Sequence, residues 1–291
     1  MPDMVQQRSI DRVVTIPPLE MGFGGPQHRA AFAIQQGDFA RTDPFFLLAE
    51  DHFLADGPIG AAHPHAGIET VTFKLKGTGG ADNLQIHEGD VEWLTAGNGV
   101  THGENAHASA GMFGLQLWIV LPESARALPP HVQIIRRDDV PVRRLPGVEV
   151  RVYSGKSGDV VSSTRNATDV SLTDIRLERD ATVEQEVPIA DNGFLLVLEG
   201  EVVAGKSGER IAKRQMGWLD RPKGTGESML TIRGASLSTR VLLYTGAPRR
   251  MSPIAQGPFV AGSEPELFKF YENYRKGQFP RVATLGTEIH E

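Results

Sequence analysis

The sequence predicts an all-β fold built from two copies of one β-barrel, with a single short helix near the C-terminus. Three observations carry this expectation. Short apolar runs are punctuated every few residues by 32 glycines and 19 prolines, the mark of many strands joined by turns. Several of those runs alternate apolar and polar residues with the period of two that a half-buried strand requires. A strand-and-turn signature also occurs twice. Phe73-Lys74-Leu75-Lys76-Gly77 is echoed by Leu196-Val197-Leu198-Glu199-Gly200, and each copy is followed by a Trp-Leu pair, Trp93-Leu94 and Trp218-Leu219. Such an internal echo points to duplication.

Along the chain, Glu69 to Lys76 alternates cleanly, and so does Phe113 to Leu121. In both, the odd-numbered residues form the face expected to turn inward. Phe194 to Leu198 is apolar throughout, as in a strand covered on both faces. Pro129-Pro130, Pro141 and Pro146 mark the joint between the copies, and place the domains at 1–135 and 136–291. The helix is expected at 264–276, inside the second domain. Ser263 stands at capping-box spacing, Leu267, Phe270, Tyr271 and Tyr274 recur at helical intervals, and Gly277 stops the run.

Composition narrows the function. The 291 residues include no cysteine, which excludes disulfides, zinc–thiolate sites and iron–sulfur clusters. The net charge is −6. The basic cluster Arg136, Arg137, Arg143 and Arg144 is diluted by Asp138 and Asp139, so direct nucleic-acid binding is not expected. No apolar run reaches signal-peptide or membrane-spanning length, and a cytoplasmic protein without membrane contact is expected.

Eight of the nine histidines fall between His28 and His131. Within that stretch, His63-Pro64-His65 on a strand would put two imidazoles on one face, shared with Gly67, Glu69, Val71, Phe73 and Leu75. His102-Gly103-Glu104 offers a third imidazole and a carboxylate. Three imidazoles and one carboxylate suit a first-row transition metal with positions left open. The second copy places Glu186, Pro188 and Glu227 where the first has His63, His65 and His102, so one metal in the first barrel is expected. The general cupin pattern G-x5-H-x-H-x3-E followed by a later His fits Gly57, His63, His65, Glu69 and His102, which makes Glu69 a ligand. Glu104, two residues from His102, has the rival claim.

His63-Pro64-His65-Ala66-Gly67-Ile68-Glu69-Thr70-Val71 closely resembles the pirin signature H-P-H-R-G-(F/I)-E-T-V. Gly89-Asp90-Val91-Glu92-Trp93-Leu94-Thr95-Ala96-Gly97-Asn98-Gly99-Val100-Thr101-His102-Gly103-Glu104 resembles a second pirin motif, G-D-x-Q-W-M-T-A-G-x-G-(I/V)-x-H-x-E. Asp43-Pro44-Phe45, Gly257-Pro258-Phe259-Val260 and Tyr274 to Phe279 fall where pirins have similar segments. The resemblance implies two tandem cupin barrels, a bicupin, with one metal in the first.

It also implies the ligands His63, His65, His102 and Glu104, with Glu69 left to orient an imidazole. The metal would be a single divalent ion, iron first, with Zn, Mn, Ni, Co or Cu as alternatives. Two departures stand out: Ala66 replaces the usual Arg, and the Gly77–Gly89 segment is shortened. By resemblance, the activity is that of a quercetinase-like dioxygenase. It would bring a small aromatic, enolisable substrate and dioxygen together at the ion, with Glu104 as the catalytic proton acceptor. Phe73, Trp93, Phe113 and Leu115 are expected to hold the aromatic ring. The alternative is a non-enzymatic, redox-dependent regulator that binds a transcription factor or a metabolic enzyme. A cupin isomerase or storage module is a third reading.

Overall fold

Alternating strands whose two faces differ in polarity close into sheets that bury one face against another, and this chain does so twice. The computed structural model describes residues 5–81, 84–103 and 107–290. Its first barrel comprises Pro17–Asp139, Asn166–Thr168 and Arg249–Glu291, and its second Met1–Ile16, Val140–Arg165 and Asp169–Pro248.

In the first barrel the large sheet runs, strand by strand, Glu20–Met21, His28–Ile34, Phe45–Phe53, Phe113–Val120, Ile68–Lys76, Val91–Thr95, His131–Ile135 and Thr287–His290. A smaller sheet of Leu84–Ile86, Gly79–Ala81, His107–Ala108 and Gly57–Pro58 accompanies it, with a separate antiparallel pair, His63–His65 and Val100–His102.

The second barrel repeats the order. Ser171–Glu178, Ser238–Gly246, Asn192–Glu199, Gln215–Leu219 and Ile10–Thr15 stand where Phe45–Phe53, Phe113–Val120, Ile68–Lys76, Val91–Thr95 and His131–Ile135 stand in the first. The duplicated all-β architecture expected from the sequence is therefore present, with its helix at Glu264–Arg275, capped by Ser263. Among the described residues, no helix is long and apolar enough to cross a membrane.

Packing divides the chain differently from the expected 1–135 and 136–291. The N-terminal strand completes the second barrel through its antiparallel pairing with Gln215–Leu219. Buried Arg8 pins it there, donating to Asp220 Oδ1 (2.9 Å) and to the carbonyls of Pro188 (3.3 Å) and Asp191 (3.1 Å). The C-terminal helix belongs to the first barrel instead, where Leu267 and Phe270 pack with Ala66, Phe259, Ala261 and Phe279. Both exchanges rest on contacts between residues far apart in sequence, which local patterning does not encode.

The expected single face from His63 to Leu75 is also broken. Gly67 has φ +78° and separates His63–His65 from Ile68–Lys76, which lie in different sheets. Its amide bonds to the Gly97 carbonyl at 2.9 Å, and its own carbonyl accepts from the Leu121 amide at 3.1 Å. A Cβ at this position would lie 1.7 Å from the Val260 carbonyl oxygen. Gly67→Ala should therefore cost more than about 2 kcal/mol of stability. Gly208→Ala is the comparison, because it shares the left-handed backbone (φ +70°) but meets nothing closer than 3.7 Å; it should cost about 1 kcal/mol. Equal losses for the two variants in chemical denaturation would contradict the steric role assigned to Gly67.

Candidate metal centre

The two strands that carry the histidines pair antiparallel, His63 opposite His102 and His65 opposite Val100. The C-terminal segment holds both of them. The Val260 amide donates to the Ala66 carbonyl at 3.1 Å, and the Thr101 amide to the Pro280 carbonyl at 2.9 Å. Ala66, where an Arg is usual in pirins, is fully buried in the apolar cluster with Phe259 and Phe270.

This scaffold brings His63, His65 and His102 together, with one nitrogen from each lying within 4.8 Å of the others. Ring centroids are 4.5 Å apart for His63–His102, 4.7 Å for His65–His102 and 4.9 Å for His63–His65. His63 Nδ1 donates to the Ala61 carbonyl at 3.0 Å, which leaves the lone pair on its Nε2. That atom lies 3.0 Å from His102 Nε2. Two nitrogens each about 2.1 Å from one ion and at right angles would be about 3.0 Å apart. Neither ring nitrogen of His65 has a hydrogen-bond partner of normal geometry, although the residue is fully buried. An orphaned imidazole beside two others is what a metal ion would satisfy, so the donor set fits one.

Electrostatics favour the neutral, ligating form. Burial pushes His65 well below the usual histidine range; nearby His102 and His63 add to the effect, and the Pro258 carbonyl opposes it. Burial likewise brings His102 down to about 3, with a further push from His63. Glu104 lies outside the described residues, and the structure describes nothing of its placement.

Glu69 does not orient an imidazole. Its buried carboxylate accepts from Thr95 Oγ1 (2.6 Å), the Ala167 amide (2.8 Å) and the Thr168 hydroxyl. It follows the break at Gly67 and points to the opposite side of the sheet. His87 and His107, not expected as ligands, are exposed and outside the cluster.

The sheet face toward the histidines is also not the expected one. Trp118 meets His65 edge-on, with ring centroids 4.9 Å apart. Trp118 is paired with Thr70 and Leu47 in the ladder, so the even-numbered residues of these two sheet strands face the site. Phe73, Trp93 and Leu115 occupy the other face, and Phe113 stacks on His52 at 4.3 Å. The signal was present in the sequence as a tryptophan among the polar positions of an alternating strand. Further along the same inner face, burial brings the Lys74 ammonium down to about 8, against the opposing pull of Glu92 and Asp51.

The second barrel has no such centre among the described residues. Its two sheets enclose a core of buried apolar residues that includes Val150, Val152, Leu195, Val197, Leu230, Ile232, Val241 and Leu243. At the expected counterpart positions, the Lys156 ammonium lies 2.8 Å from Glu186 and 3.6 Å from Glu227 on an exposed surface.

Two tandem cupin barrels with a three-histidine cluster in the first, able to hold a metal ion, define the class of this protein. The family model described as Pirin matches residues 28–119, and that of the Pirin C-terminal cupin domain matches residues 172–280. Pirin-like protein 2 of Arabidopsis thaliana is 32% identical over 84% of this chain and 78% of its own. The crystal structure of GK1651 from Geobacillus kaustophilus superposes with a TM-score of 0.77 at 35% identity, covering 85% of this chain and 99% of that one. Quercetin 2,3-dioxygenase from Acinetobacter baumannii superposes with a TM-score of 0.78 at 25% identity, covering 94% and 98%. The chain belongs to the pirin family.

The depressed histidines have a consequence for the metal-free protein. As pH falls below about 6.5 the unfolded chain protonates at these positions while the native state does not. The stability they contribute is thus present above about 6.5 and lost as pH drops, with the share of His102 falling away down to about 3. Chemical denaturation of metal-free protein at pH 7.5, 6.5 and 5.5 should show a declining midpoint, and the decline should be smaller in His65→Asn/His102→Asn. Identical pH dependence in the two proteins would contradict the assignment.

Proposed function

We propose that the protein is an iron-dependent dioxygenase acting on flavonols such as quercetin. His63, His65 and His102 would hold the ion, with Glu104 as the fourth ligand and as acceptor of the substrate's hydroxyl proton. A bound transition ion supplies Lewis acidity toward a substrate oxygen and redox access to dioxygen. The chain supplies the rest. Burial keeps His65 and His102 neutral and ready to ligate, and the His63–Ala61 hydrogen bond fixes which nitrogen of His63 faces inward.

One observation carries the reading: the orphaned His65 sits against a sheet face that keeps accessible surface at Leu47, Gln116 and Trp118. A purely structural cluster would be expected to seal that face. The likeness to the Acinetobacter baumannii quercetin 2,3-dioxygenase, at 25% identity over nearly the whole chain, supports the same substrate class.

The test is oxygen uptake by protein loaded anaerobically with Fe(II) and then given a panel of flavonols. Turnover is expected in the unmodified protein, falling to background in His63→Ala and in Glu104→Ala. A metal-loaded protein that consumes no oxygen with any flavonol would sink the proposal. That outcome would favour the regulatory reading, in which a transcription factor or a metabolic enzyme is the partner.

A further inference from the structure

Each histidine strand adjoins a glycine whose missing side chain leaves room for the C-terminal segment. Gly67 lies two residues after His65, and a Cβ there would collide with the Val260 carbonyl. Gly99 lies three residues before His102, and a Cβ there would collide with the ring of Phe279. Parallel bridges repeat the pattern, Ala66 with Phe259 and Thr101 with Arg281. One segment therefore engages both strands of the pair at their backbones.

The segment is tethered at two ends. The Arg249 and Arg250 amides donate to the Asp43 carboxylate at 2.6 and 2.8 Å, and Thr287–His290 pairs with His131–Ile135. Between these tethers, its buried side chains pack on the histidine strands and the residues beside them. Phe259, Leu267, Phe270 and Phe279 cluster with Ala66, and Val260 and Val282 with Ile68 and Val100. The helix within it is lightly attached: of its twelve residues only Leu267 and Phe270 are buried, and Glu266 pairs with Arg126 at 2.9 Å. A stretch held by few buried side chains, and resting on strands of three residues each, opens at lower free energy than a central strand. An ion would fix the same strands through their imidazoles. Two groups that favour one arrangement of a labile element each strengthen the binding of the other.

We propose that the C-terminal segment is a metal-coupled strap. The ion is held tightly only while residues 257–282 are docked on the histidine strands, and those residues are held firmly only while the ion is bound. Phe279 is a positioning residue in this device, acting on His102 through the backbone of Gly99. Loss of the ion is thereby transmitted to the protein surface, at the outer side of the helix where Phe268, Lys269 and Tyr274 are exposed. The proposal rests on reading the three histidines as the metal centre, and it does not require turnover.

Hydrogen exchange followed by mass spectrometry, on metal-free and Zn(II)-loaded protein, reads the docking directly. Peptides covering 257–262 and 277–283 should exchange at least about fivefold more slowly with zinc bound. Peptides from Ser171–Glu178 and Ser238–Gly246 of the second barrel should not change, and in His65→Asn zinc should alter neither set. The reciprocal effect is on affinity: chelator competition should show zinc binding weakened about tenfold or more in Phe279→Ala, and less in Phe279→Leu. Leu117→Ala, a buried truncation on the opposite face of the large sheet, is the control. It should lower the unfolding temperature at least as much but keep zinc affinity within about twofold.

Zinc bound in a His65-dependent manner, with unchanged exchange across 257–283, would overturn the strap and leave the metal centre standing. Equal losses of affinity in Phe279→Ala and Leu117→Ala would also overturn it, because Phe279 would then act only through general stability. Failure of the unmodified protein to take up zinc would overturn the strap together with the centre on which it rests.

Discussion

Three imidazoles gathered at one point, His65 and His102 buried and His63 exposed, must either find partners or share an ion, and much of the first barrel is arranged around that requirement. His65 is the critical member, because it is fully buried and neither ring nitrogen has a hydrogen-bond partner of normal geometry. Its position depends on a short strand pair that could not stand alone, since two three-residue strands bury little and make few hydrogen bonds. The C-terminal segment supplies the missing support. Val260 and Pro280 bond to the two strands, and Phe259, Phe270 and Phe279 pack around Ala66. Gly67 completes the arrangement by turning the chain sharply into the large sheet, so that the imidazoles and the inner sheet face look toward each other.

Duplication explains the division of labour. The two barrels share a strand order and each encloses apolar residues, but only the first adds the three-histidine cluster, with a buried lysine and a half-buried tryptophan, among the described residues. Each buried valine or leucine contributes about 1.5–3 kcal/mol, so the second barrel is stabilised by its own interior and needs no ion there. The first barrel has an apolar cluster as well, including Ile68, Leu94, Val100, Val120 and Val132, and its polar groups stand beside that cluster. At the positions matched to His63 and His102 the second copy has Glu186 and Glu227, which share the ammonium of exposed Lys156.

Most of the site's chemistry was legible in the sequence, because residue types and spacing carry it. His63, His65 and His102 come together, and the histidine-poor half lacks such a cluster among the described residues. Orientation was less legible. Period-two alternation predicts the wrong face when carried across Gly67, since a left-handed glycine between two short strands restarts the register. Phe73 and Trp93 therefore looked like lining residues, and Trp118 and Thr70 did not. Glu69 was misleading for the same reason. Its real partners, Ala167 and Thr168, are about a hundred positions away. The exchange of the terminal segments between barrels was equally hidden, being decided by long-range pairing and by the burial of Arg8 and Phe270.

The most direct test of this centre is the metal content of the purified protein compared with that of His65→Asn, with circular dichroism confirming that both are folded. One transition-metal ion per chain is expected in the unmodified protein, and close to none in His65→Asn. A folded His65→Asn protein that keeps its full complement of metal would show that the orphaned imidazole is not there to hold an ion.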